Sequence, residues 1–239
     1  MLETLLLLLL AASWIYWLVA WWISRVFFRA SRHASQDYTP GVSILKPVRG
    51  LDAQALRNYA SFCRQDYPDY ELLFGFSDPE DPAVDLVRQL QSDYPHARIR
   101  LVCGPALGTN RKASLLHHLA AEAHHDILVV SDSDMRVTPD YLRRVVAPLA
   151  NPSTGLVTCC YRAECPRTLA AGLEALQIGV VFLPSVIIAN CLLKFGFAMG
   201  STAALRRRDL ARLGGFKAIT DYLADDYQLG ARIAQTGLR

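Results

Sequence analysis

The sequence predicts an α/β fold with a parallel sheet, preceded by one long apolar helix. Between residues 41 and 160, short apolar runs of strand length alternate with longer helical stretches, which is the pattern of strand–helix–strand units. The run at residues 127–130 is continuously apolar, as a strand buried on both faces of a parallel sheet requires. At 239 residues the chain is long enough for one catalytic unit and accessory segments.

The apolar helix is predicted within residues 1–30 and is interpreted as a membrane anchor. Residues 4–23 contain no charged side chain, and about 20 residues of helix cross about 30 Å of hydrocarbon. Glu3 precedes this segment, whereas three arginines follow it, at Arg25, Arg29 and Arg32. Because the positive side of such a helix stays in the cytoplasm, the globular part is expected there, behind one membrane pass or more. A cleaved signal peptide is the alternative, but it would carry its positive charge before a shorter apolar core.

Composition narrows the functional classes. Hydrophobic residues make up 52% of the chain, charged residues 20%, and the formal net charge is only +3, so no nucleic-acid partner is expected. The basic cluster at residues 206–208 is interpreted as a contact for anionic headgroups or for a diphosphate. The six cysteines form no CxxC pair and no zinc-finger spacing with histidine. Free thiols in a reducing compartment are therefore expected.

The globular domain is predicted over residues 41–239. Strands are expected at residues 42–45, 70–76, 98–102, 127–130 and 155–160, and residues 200–205 are interpreted as a strand or a substrate-facing loop. Helices are expected at residues 53–63, 82–92, 112–123, 139–149, 208–213 and 225–236.

Residues 169–197 form a second strongly apolar segment. Pro184 lies in its middle, and polar side chains such as Glu174 and Asn190 interrupt it. A helix lying in the membrane interface, or a re-entrant segment, is therefore favoured over a second membrane span.

Two carboxylates follow the continuously apolar strand directly. Asp132 and Asp134 are separated by one residue, and ligands of parallel sheets bind beyond the carboxyl ends of the strands. Carboxylate oxygens suit Mg²⁺ or Mn²⁺, and Mg²⁺ usually keeps substrate phosphates among its ligands. We therefore predict a Mg²⁺ or Mn²⁺ site at Asp132 and Asp134 that also binds a donor diphosphate, in preference to an ordinary polar turn.

Further carboxylates lie at other element ends. Asp78 follows the strand at 70–76 and is either an acceptor for the imide N–H of uracil or part of an Asp-Pro turn; both interpretations stay open. Asp225 and Asp226 open the last predicted helix, where acidic residues also settle against the helix dipole. Direct displacement at an anomeric carbon needs a carboxylate that takes the acceptor proton, and Asp226 or Asp225 is the candidate. A retaining double displacement through an additional nucleophile is the alternative.

Basic and amide side chains are predicted on the donor side of the same edge. Lys46, after the first strand, is expected at the nucleotide edge of the pocket, and Asn110, Arg111 and Lys112 are expected to reach the sugar or the diphosphate. Each alone is weak evidence, because surface Lys and Arg side chains mostly face solvent. Their value as evidence is therefore collective. Convergence on one edge of the sheet is predicted for the segments after the first, second and fourth strands, at residues 46–50, 77–81 and 131–134. The histidine pairs at residues 117–118 and 124–125 are given no role.

Four segments, in this order behind one apolar helix, resemble the ceramide glucosyltransferase family. They are KPVRGLD at residues 46–52, NRK at 110–112, VSDSD at 130–134 and LADDY at 223–227. The resemblance extends over nearly everything from residue 41 onward and is nearest to bacterial hopanoid-associated glycosyltransferases of that group. It implies a GT-A fold with a mixed, mostly parallel sheet, an inverting mechanism, a UDP-sugar donor of a hexose or N-acetylhexosamine, and a ceramide-like or hopanoid-like lipid acceptor. The location that it implies is a bacterial inner membrane.

The resemblance also assigns roles by position. Asp78 matches the family's first aspartate, near the nucleotide; Asp132 and Asp134 match its metal and diphosphate motif; Asp226 matches its third aspartate, the expected base. Family members continue with a Q/R-x-x-R-W motif and further membrane helices. This sequence stops at Arg239, before such a motif, and is therefore interpreted as truncated at its C-terminus.

Two other functions stay open at this point. A relative of membrane polysaccharide synthases would extend a polar glycan and not a lipid. A non-catalytic membrane protein that binds the sugar donor is the second alternative, because the terminal motif is missing.

Overall fold

The computed structural model describes residues 1–30, 37–164, 168–193 and 196–239. The chain divides into two compact units. The helical unit comprises Met1–Ala34 and Cys160–Phe195, and the sheet unit comprises Ser35–Cys159 and Gly196–Arg239. Arg32, which follows the expected anchor, lies outside the described residues, as does Cys165.

The sheet unit contains six strands and their flanking helices. The strands are β1 Val42–Pro47, β2 Tyr70–Phe76, β3 Arg98–Cys103, β4 Ile127–Ser131, β5 Leu156–Thr158 and β6 Thr202–Arg206. The helices are α2 Ala55–Phe62, α3 Ala83–Asp93, α4 Arg111–Glu122, α5 Tyr141–Val146, α8 Arg207–Arg212 and α9 Asp225–Gln235, with 3₁₀ turns at Ala147–Ala150 and Phe216–Ile219. Each predicted strand and helix of this unit is therefore confirmed, with ends shifted by up to about three residues.

The sheet is mixed, with the strand order β3-β2-β1-β4-β6-β5. β1 pairs in parallel with β2 and β4, and β2 with β3, whereas β6 runs antiparallel to both β4 and β5. Because β6 is antiparallel, its first residue, Thr202, pairs with Ser131 at the end of β4. The start of β6 therefore joins the same edge of the sheet as the carboxyl ends of β1 and β4.

Helices cover both faces of the sheet, so the central strands are buried throughout. Ile44 and Leu72 point into the core formed with α2, α3 and α5, while Leu45 and Leu73 point into the core formed with α4 and α9. Successive strand side chains alternate between faces, and here both faces are apolar. This double burial explains why residues 127–130 of β4 are continuously apolar in the sequence.

Arg206 and Arg207 are structural, so their interpretation as headgroup or diphosphate contacts is wrong. Arg206 is buried, pairs with Asp209 at 3.1 Å and donates to three backbone carbonyls of residues 149–154. Arg207 donates to the carbonyls at the end of α4, including Ala123 at 2.6 Å. Buried carbonyls need donors, and guanidinium groups supply several at once. Arg208, by contrast, keeps an exposed side chain.

The helical unit contains two apolar helices. α1 spans Leu2–Ala30; α6 Leu169–Gln177 and α7 Leu183–Leu193 are joined by a π-helical turn at Ile178–Phe182. The segments Leu2–Arg29 and Leu169–Leu192 are each long and apolar enough to cross a membrane. α1 and α7 contact each other: the Tyr16 hydroxyl lies 3.1 Å from Ser185 Oγ.

Pro184 does not interrupt the second apolar helix. A proline ring clashes with the carbonyl four residues earlier, and the π turn that directly precedes Pro184 widens the backbone there. Residues 169–192 therefore run as one helix of spanning length. The preference for an interfacial orientation stays a prediction.

The free-thiol prediction is confirmed for four of the described cysteines, which are Cys63, Cys103, Cys160 and Cys191.

The close approach of α9 to residues 197–198 gives a stability prediction. A Cβ on Gly230 would lie 2.4 Å from the Ala198 nitrogen and 2.5 Å from the Phe197 carbonyl carbon, which are backbone atoms that cannot rotate away. Gly230→Ala is expected to lower the free energy of unfolding by about 1–3 kcal/mol. Gly172→Ala, also inside a helix but with open space around its Cβ, should be neutral or stabilise by up to about 1 kcal/mol.

Thermal unfolding in detergent, followed by circular dichroism, measures both variants. Because each substitution gains the same helix propensity, their difference isolates the steric clash. Equal melting temperatures for the two variants would contradict the close packing of α9.

Candidate active site

The candidate site lies at the edge of the sheet where β1 and β4 end and β6 begins. The Asp132 N–H, just after β4, donates to the Ser201 carbonyl, just before β6, at 3.3 Å. The first turns of α4 and α9 reach the same place, through Asn110, Lys112 and Asp225. The predicted convergence is therefore found for Lys46, near the end of β1, and for the residues that follow β4. The residues that open α4 and α9 join them there.

Lys112 is the cation around which the carboxylates are arranged. Its Nζ lies 2.5 Å from Asp132 Oδ1 and 3.9 Å from Asp225 Oδ2, and it donates to the Gly200 carbonyl at 3.4 Å. Burial lowers the pKa of Lys112, but the carboxylates of Asp132, Asp225 and Asp226 together outweigh it, so the net pKa is raised. Lys112 is therefore charged at neutral pH and bridges two acidic segments.

Asn110 fixes the start of α4 against the start of α9. As the N-cap of α4, its side-chain oxygen accepts from the Ala113 N–H at 2.9 Å. Its amide nitrogen donates to the Tyr222 carbonyl at 2.8 Å and to Asp225 Oδ1 at 3.2 Å. Asn110 thereby sets the distance between the NRK segment and the LADDY segment.

Asp226 is held by its own backbone and lies close to Gly200. Its Oδ1 accepts from the Tyr227 N–H at 2.7 Å, and its Oδ2 would lie 2.9 Å from a Cβ at position 200. Any side chain at position 200 would therefore force this carboxylate to shift. A small internal space of ≈ 10 Å³, with Lys112 and both aspartates of α9 among its lining residues, lies at this point.

Lys46 is buried completely beneath the turn that carries Asp132. Its Nζ donates to the Asp132 carbonyl at 2.8 Å and to Ser131 Oγ at 3.4 Å, and it lies 3.7 Å from the centre of the Phe62 ring. Burial lowers the pKa of Lys46 to about 7, against the carboxylates of Asp132 and Asp134, which raise it. The ammonium group contacts the backbone of the candidate metal loop from below.

Asp134 and Asp78 stand apart from the Lys112 cluster. Asp134 is exposed, and its backbone carbonyl accepts from Asn58 Nδ2 at 3.0 Å, which anchors the far end of the loop. Asp78 is exposed in the turn after β2, where its Oδ1 accepts from the Glu80 N–H at 2.9 Å. That hydrogen bond is typical of an Asp-Pro turn, which is one of the two interpretations that the sequence leaves open for Asp78.

Three residues of the site are not predicted from the sequence. The Asp81 carboxylate accepts from the N–H groups of Gly50 and Ala83, at 2.8 and 2.9 Å, and so joins the loops after β1 and β2. Ser201 Oγ and the Tyr59 hydroxyl are buried without a hydrogen-bond partner among the described residues. The sequence signal that could have identified Ser201 is its position as a small polar residue directly before a buried strand.

The charges of the site suit a divalent cation. Four carboxylates, those of Asp132, Asp134, Asp225 and Asp226, lie near two ammonium groups, of which one has a pKa of about 7. Within the described part of the chain, no group of three or more His, Cys, Asp or Glu side chains is placed to hold a metal ion. Mg²⁺ typically takes one or two carboxylates and completes its shell with substrate phosphates and water, and Asp132 with Asp134 fits that donor set.

A solved structure shares the architecture of the whole chain. It is the mannosyltransferase PcManGT from Pyrobaculum calidifontis in complex with GDP-Man and Mn²⁺, which aligns with 100% of this chain and 65% of its own at a TM-score of 0.69 and 25% identity. Together with the mixed sheet described above, this likeness confirms the predicted GT-A class.

Curated relatives are glycosyltransferases whose names specify lipids. Ceramide glucosyltransferase 3 of Caenorhabditis elegans is 29% identical over 215 residues, which cover 89% of this chain and 47% of that protein. β-Monoglucosyldiacylglycerol synthase of Synechocystis sp. is 28% identical over 118 residues, or 48% of this chain and 24% of that protein. The chain thus spans about half the length of the ceramide glucosyltransferases that it matches over most of its sequence.

The family model of glycosyl transferase family 21 matches residues 5–239, which includes every segment of the candidate site. This match agrees with the site residues at the sheet edge and with the shared architecture. The chain belongs to glycosyl transferase family 21.

Proposed function

We propose that this chain is an inverting glycosyltransferase that moves a hexose or N-acetylhexosamine from a UDP-sugar to a membrane lipid, ceramide-like or hopanoid-like. The observation that carries the proposal is the Lys112-centred cluster, which joins the loop after β4 to the first turn of α9 at 2.5 and 3.9 Å. The proposed diphosphate site and the proposed base thereby lie side by side. The lipid acceptor is supported by the relatives, whose names specify ceramide and diacylglycerol.

The donor side is assigned to the loop after β4 and its neighbours. Asp132 and Asp134 would hold Mg²⁺ or Mn²⁺, which neutralises the leaving nucleoside diphosphate when bound. Lys112 would contact the diphosphate, and Asn110 would keep α4 in position for that contact. Asp78, with its exposed carboxylate after β2, would accept the uracil imide N–H.

Lys46 supports the donor side from below. Because its ammonium donates to the Asp132 carbonyl and is not exposed, its contribution is to fix the loop that binds the diphosphate, and not to touch the sugar. Such a group acts through the residues that it positions.

Asp226 is assigned as the base. Its Oδ1 is held by the Tyr227 N–H, which leaves Oδ2 at the glycine gap beside Gly200. The acceptor O–H gives its proton to Asp226 as its oxygen bonds to the anomeric carbon, and the bond from that carbon to the diphosphate breaks. The electron pair of the broken bond leaves with the nucleoside diphosphate, and a single displacement inverts the anomeric centre.

Membrane association completes the proposal. α1 within residues 1–30 is the anchor, residues 41–239 form the catalytic domain, and residues 169–197 lie in or across the membrane. The arginines after the apolar segment support a cytoplasmic catalytic domain, and the proposed host is a bacterial inner membrane. A lipid acceptor and its enzyme are then concentrated in the same bilayer.

Transfer of radiolabelled sugar tests the function and its metal requirement together. Membranes that contain this chain, supplied with UDP-glucose or UDP-N-acetylglucosamine, are expected to place label in organic-extractable lipid. EDTA should abolish the transfer, and Mg²⁺ or Mn²⁺ should restore it. Asp134→Asn should raise the metal concentration for half-maximal transfer at least about tenfold, since one of two carboxylate ligands loses its charge. Asp85→Asn, an exposed carboxylate on α3, is the matched control.

Other outcomes separate the alternatives. Label that stays in the aqueous phase as polymer would favour a polysaccharide synthase, and donor binding without transfer would favour a non-catalytic protein. Transfer that is unaffected by EDTA would contradict the metal assignment.

Substitution of the proposed base separates chemistry from donor binding. Asp226→Asn is expected to lower kcat by about 10²–10⁴-fold, because the amide cannot accept the acceptor proton. Donor affinity should stay within about twofold of the wild type. Both are measured on purified chain, by lipid transfer and by titration with the UDP-sugar. Unchanged turnover would refute the assignment, and Asp85→Asn again serves as the control.

Lys46 gives a test that does not require turnover. Its ordinary pKa near 10.5 in the unfolded chain falls to about 7 in the folded chain. Between these values the unfolded chain binds a proton that the folded chain does not, so stability should rise with pH, by up to about 1.4 kcal/mol per pH unit. Below about pH 7 both states are protonated, and this contribution no longer changes with pH.

The comparison with Lys46→Met isolates this effect, because all other titrating groups are shared. The melting temperature of the wild type, measured in detergent with EDTA, is expected to rise relative to the variant between pH 7 and 10. Parallel pH profiles for the two proteins would show that the Lys46 pKa is not lowered by burial.

A further inference from the structure

A groove on the helical unit has no part in the mechanism above. It has a volume of ≈ 590 Å³ and lies along the second half of α1, beside the start of α7. Its lining residues include Trp17, Ala20, Trp21, Ser24, Arg25, Phe28, Arg29 and Pro184. This volume is within the usual range for small-ligand sites, about 300–1,000 Å³.

The groove is apolar at one end and polar and basic at the other. Trp17, Ala20 and Trp21 with Pro184 form an apolar part, and Ser24, Arg25 and Arg29 add hydroxyl and guanidinium groups further along α1. From Trp17 to Arg29 the helix rises about 18 Å, close to the depth of one bilayer leaflet. If the uncharged residues 4–23 lie in hydrocarbon, Arg25 and Arg29 lie at headgroup level.

Two polar groups that line the groove form no hydrogen bond or ion pair within the described part of the chain. Ser24 Oγ is buried and has no hydrogen-bond partner among the described residues. The Arg25 guanidinium stacks on Trp21 at 5.3 Å from the ring centre and forms no ion pair within the described part of the chain. The lining residues named above include two arginines and no carboxylate. The groove is therefore complementary to a negative charge at the end where the headgroups lie.

We propose that this groove binds one anionic phospholipid of the surrounding leaflet. Its phosphate lies against Arg25 and Arg29 with the Ser24 hydroxyl as a donor, and an acyl chain lies against Trp17, Trp21 and Pro184. The inference rests on the membrane location in the proposed function. The occupant differs from the sugar acceptor, because a ceramide-like or hopanoid-like lipid carries no anionic group to pair with the arginines. The bound lipid anchors the helical unit to an anionic membrane surface.

Brominated lipids test the site with the tryptophans as reporters. In a background with Trp14→Phe and Trp22→Phe, Trp17 and Trp21 are the remaining tryptophans of the chain. The chain is reconstituted in phosphatidylcholine vesicles that contain a few per cent of dibrominated phosphatidylglycerol or dibrominated phosphatidylcholine. The anionic lipid is expected to quench at a mole fraction about 25-fold lower, the product of about fivefold for each arginine. Arg25→Gln and Arg29→Gln should each reduce this preference about fivefold, and together they should abolish it.

The control removes two charges elsewhere. Arg57→Gln with Arg88→Gln, both exposed on the sheet unit, should leave the preference unchanged. Equal quenching by the two lipids in the parent protein, or a preference that survives the double groove variant, overturns the site. Weak quenching by both lipids means that protein covers the groove and overturns it as well.

Failure of the site and failure of the proposed function are distinguishable. Sugar transfer to lipid with no phospholipid preference leaves the function intact and removes only the groove site. A chain that is released from the vesicles by alkaline carbonate contradicts the membrane location, and with it both proposals.

Discussion

The turn after β4 is the constraint on which the candidate site depends. Ser131 is paired with Thr202 in the sheet, the Asp132 backbone is bonded to Lys46 from below and to Ser201 from the side, and the Asp134 carbonyl is bonded to Asn58. The carboxylates of this turn are left to face a ligand or Lys112. A loop whose backbone is bonded at Ser131, Asp132 and Asp134 needs little further ordering when a ligand binds, which is how a rigid scaffold lowers the cost of recognition.

The site combines an excess of carboxylates with lysines that differ in their surroundings. Lys112 is partly exposed among three acidic groups and has a raised pKa, while Lys46 is buried and has a pKa of about 7. Carboxylates in such an arrangement attract a divalent cation, and a cation in turn attracts a diphosphate. Asp226 belongs to the same electrostatic cluster but is held separately, by its helix N-terminus and by the absence of a side chain at Gly200. The proposed donor-binding residues and the proposed base are thus neighbours that are held in place by different contacts.

The composition of the helical unit is that of membrane helices. α1 and the helix at residues 169–192 are apolar on nearly all sides, so burial against the rest of the chain does not explain their composition. Arg25, Arg29 and Ser24 mark the polar end of the groove along α1, and the tryptophans mark the apolar part. Family membership, lipid-named relatives and apolar helices agree with a membrane-associated protein.

The sequence by itself determined the order and type of the elements, since apolar periodicity reports burial and both faces of this sheet are buried. It also predicted that Lys46 and Asp132 lie at one edge of the sheet, because parallel strands end at the same edge. Only the tertiary structure decided that β6 runs antiparallel, that Arg206 and Arg207 bind carbonyls inside the fold, and that Lys46 lies beneath the loop and not beside a ligand. The sequence does not distinguish a buried lysine from an exposed one, because the residue type is the same. Direction of pairing and choice of partner depend on contacts between residues far apart in the chain, which no local pattern records.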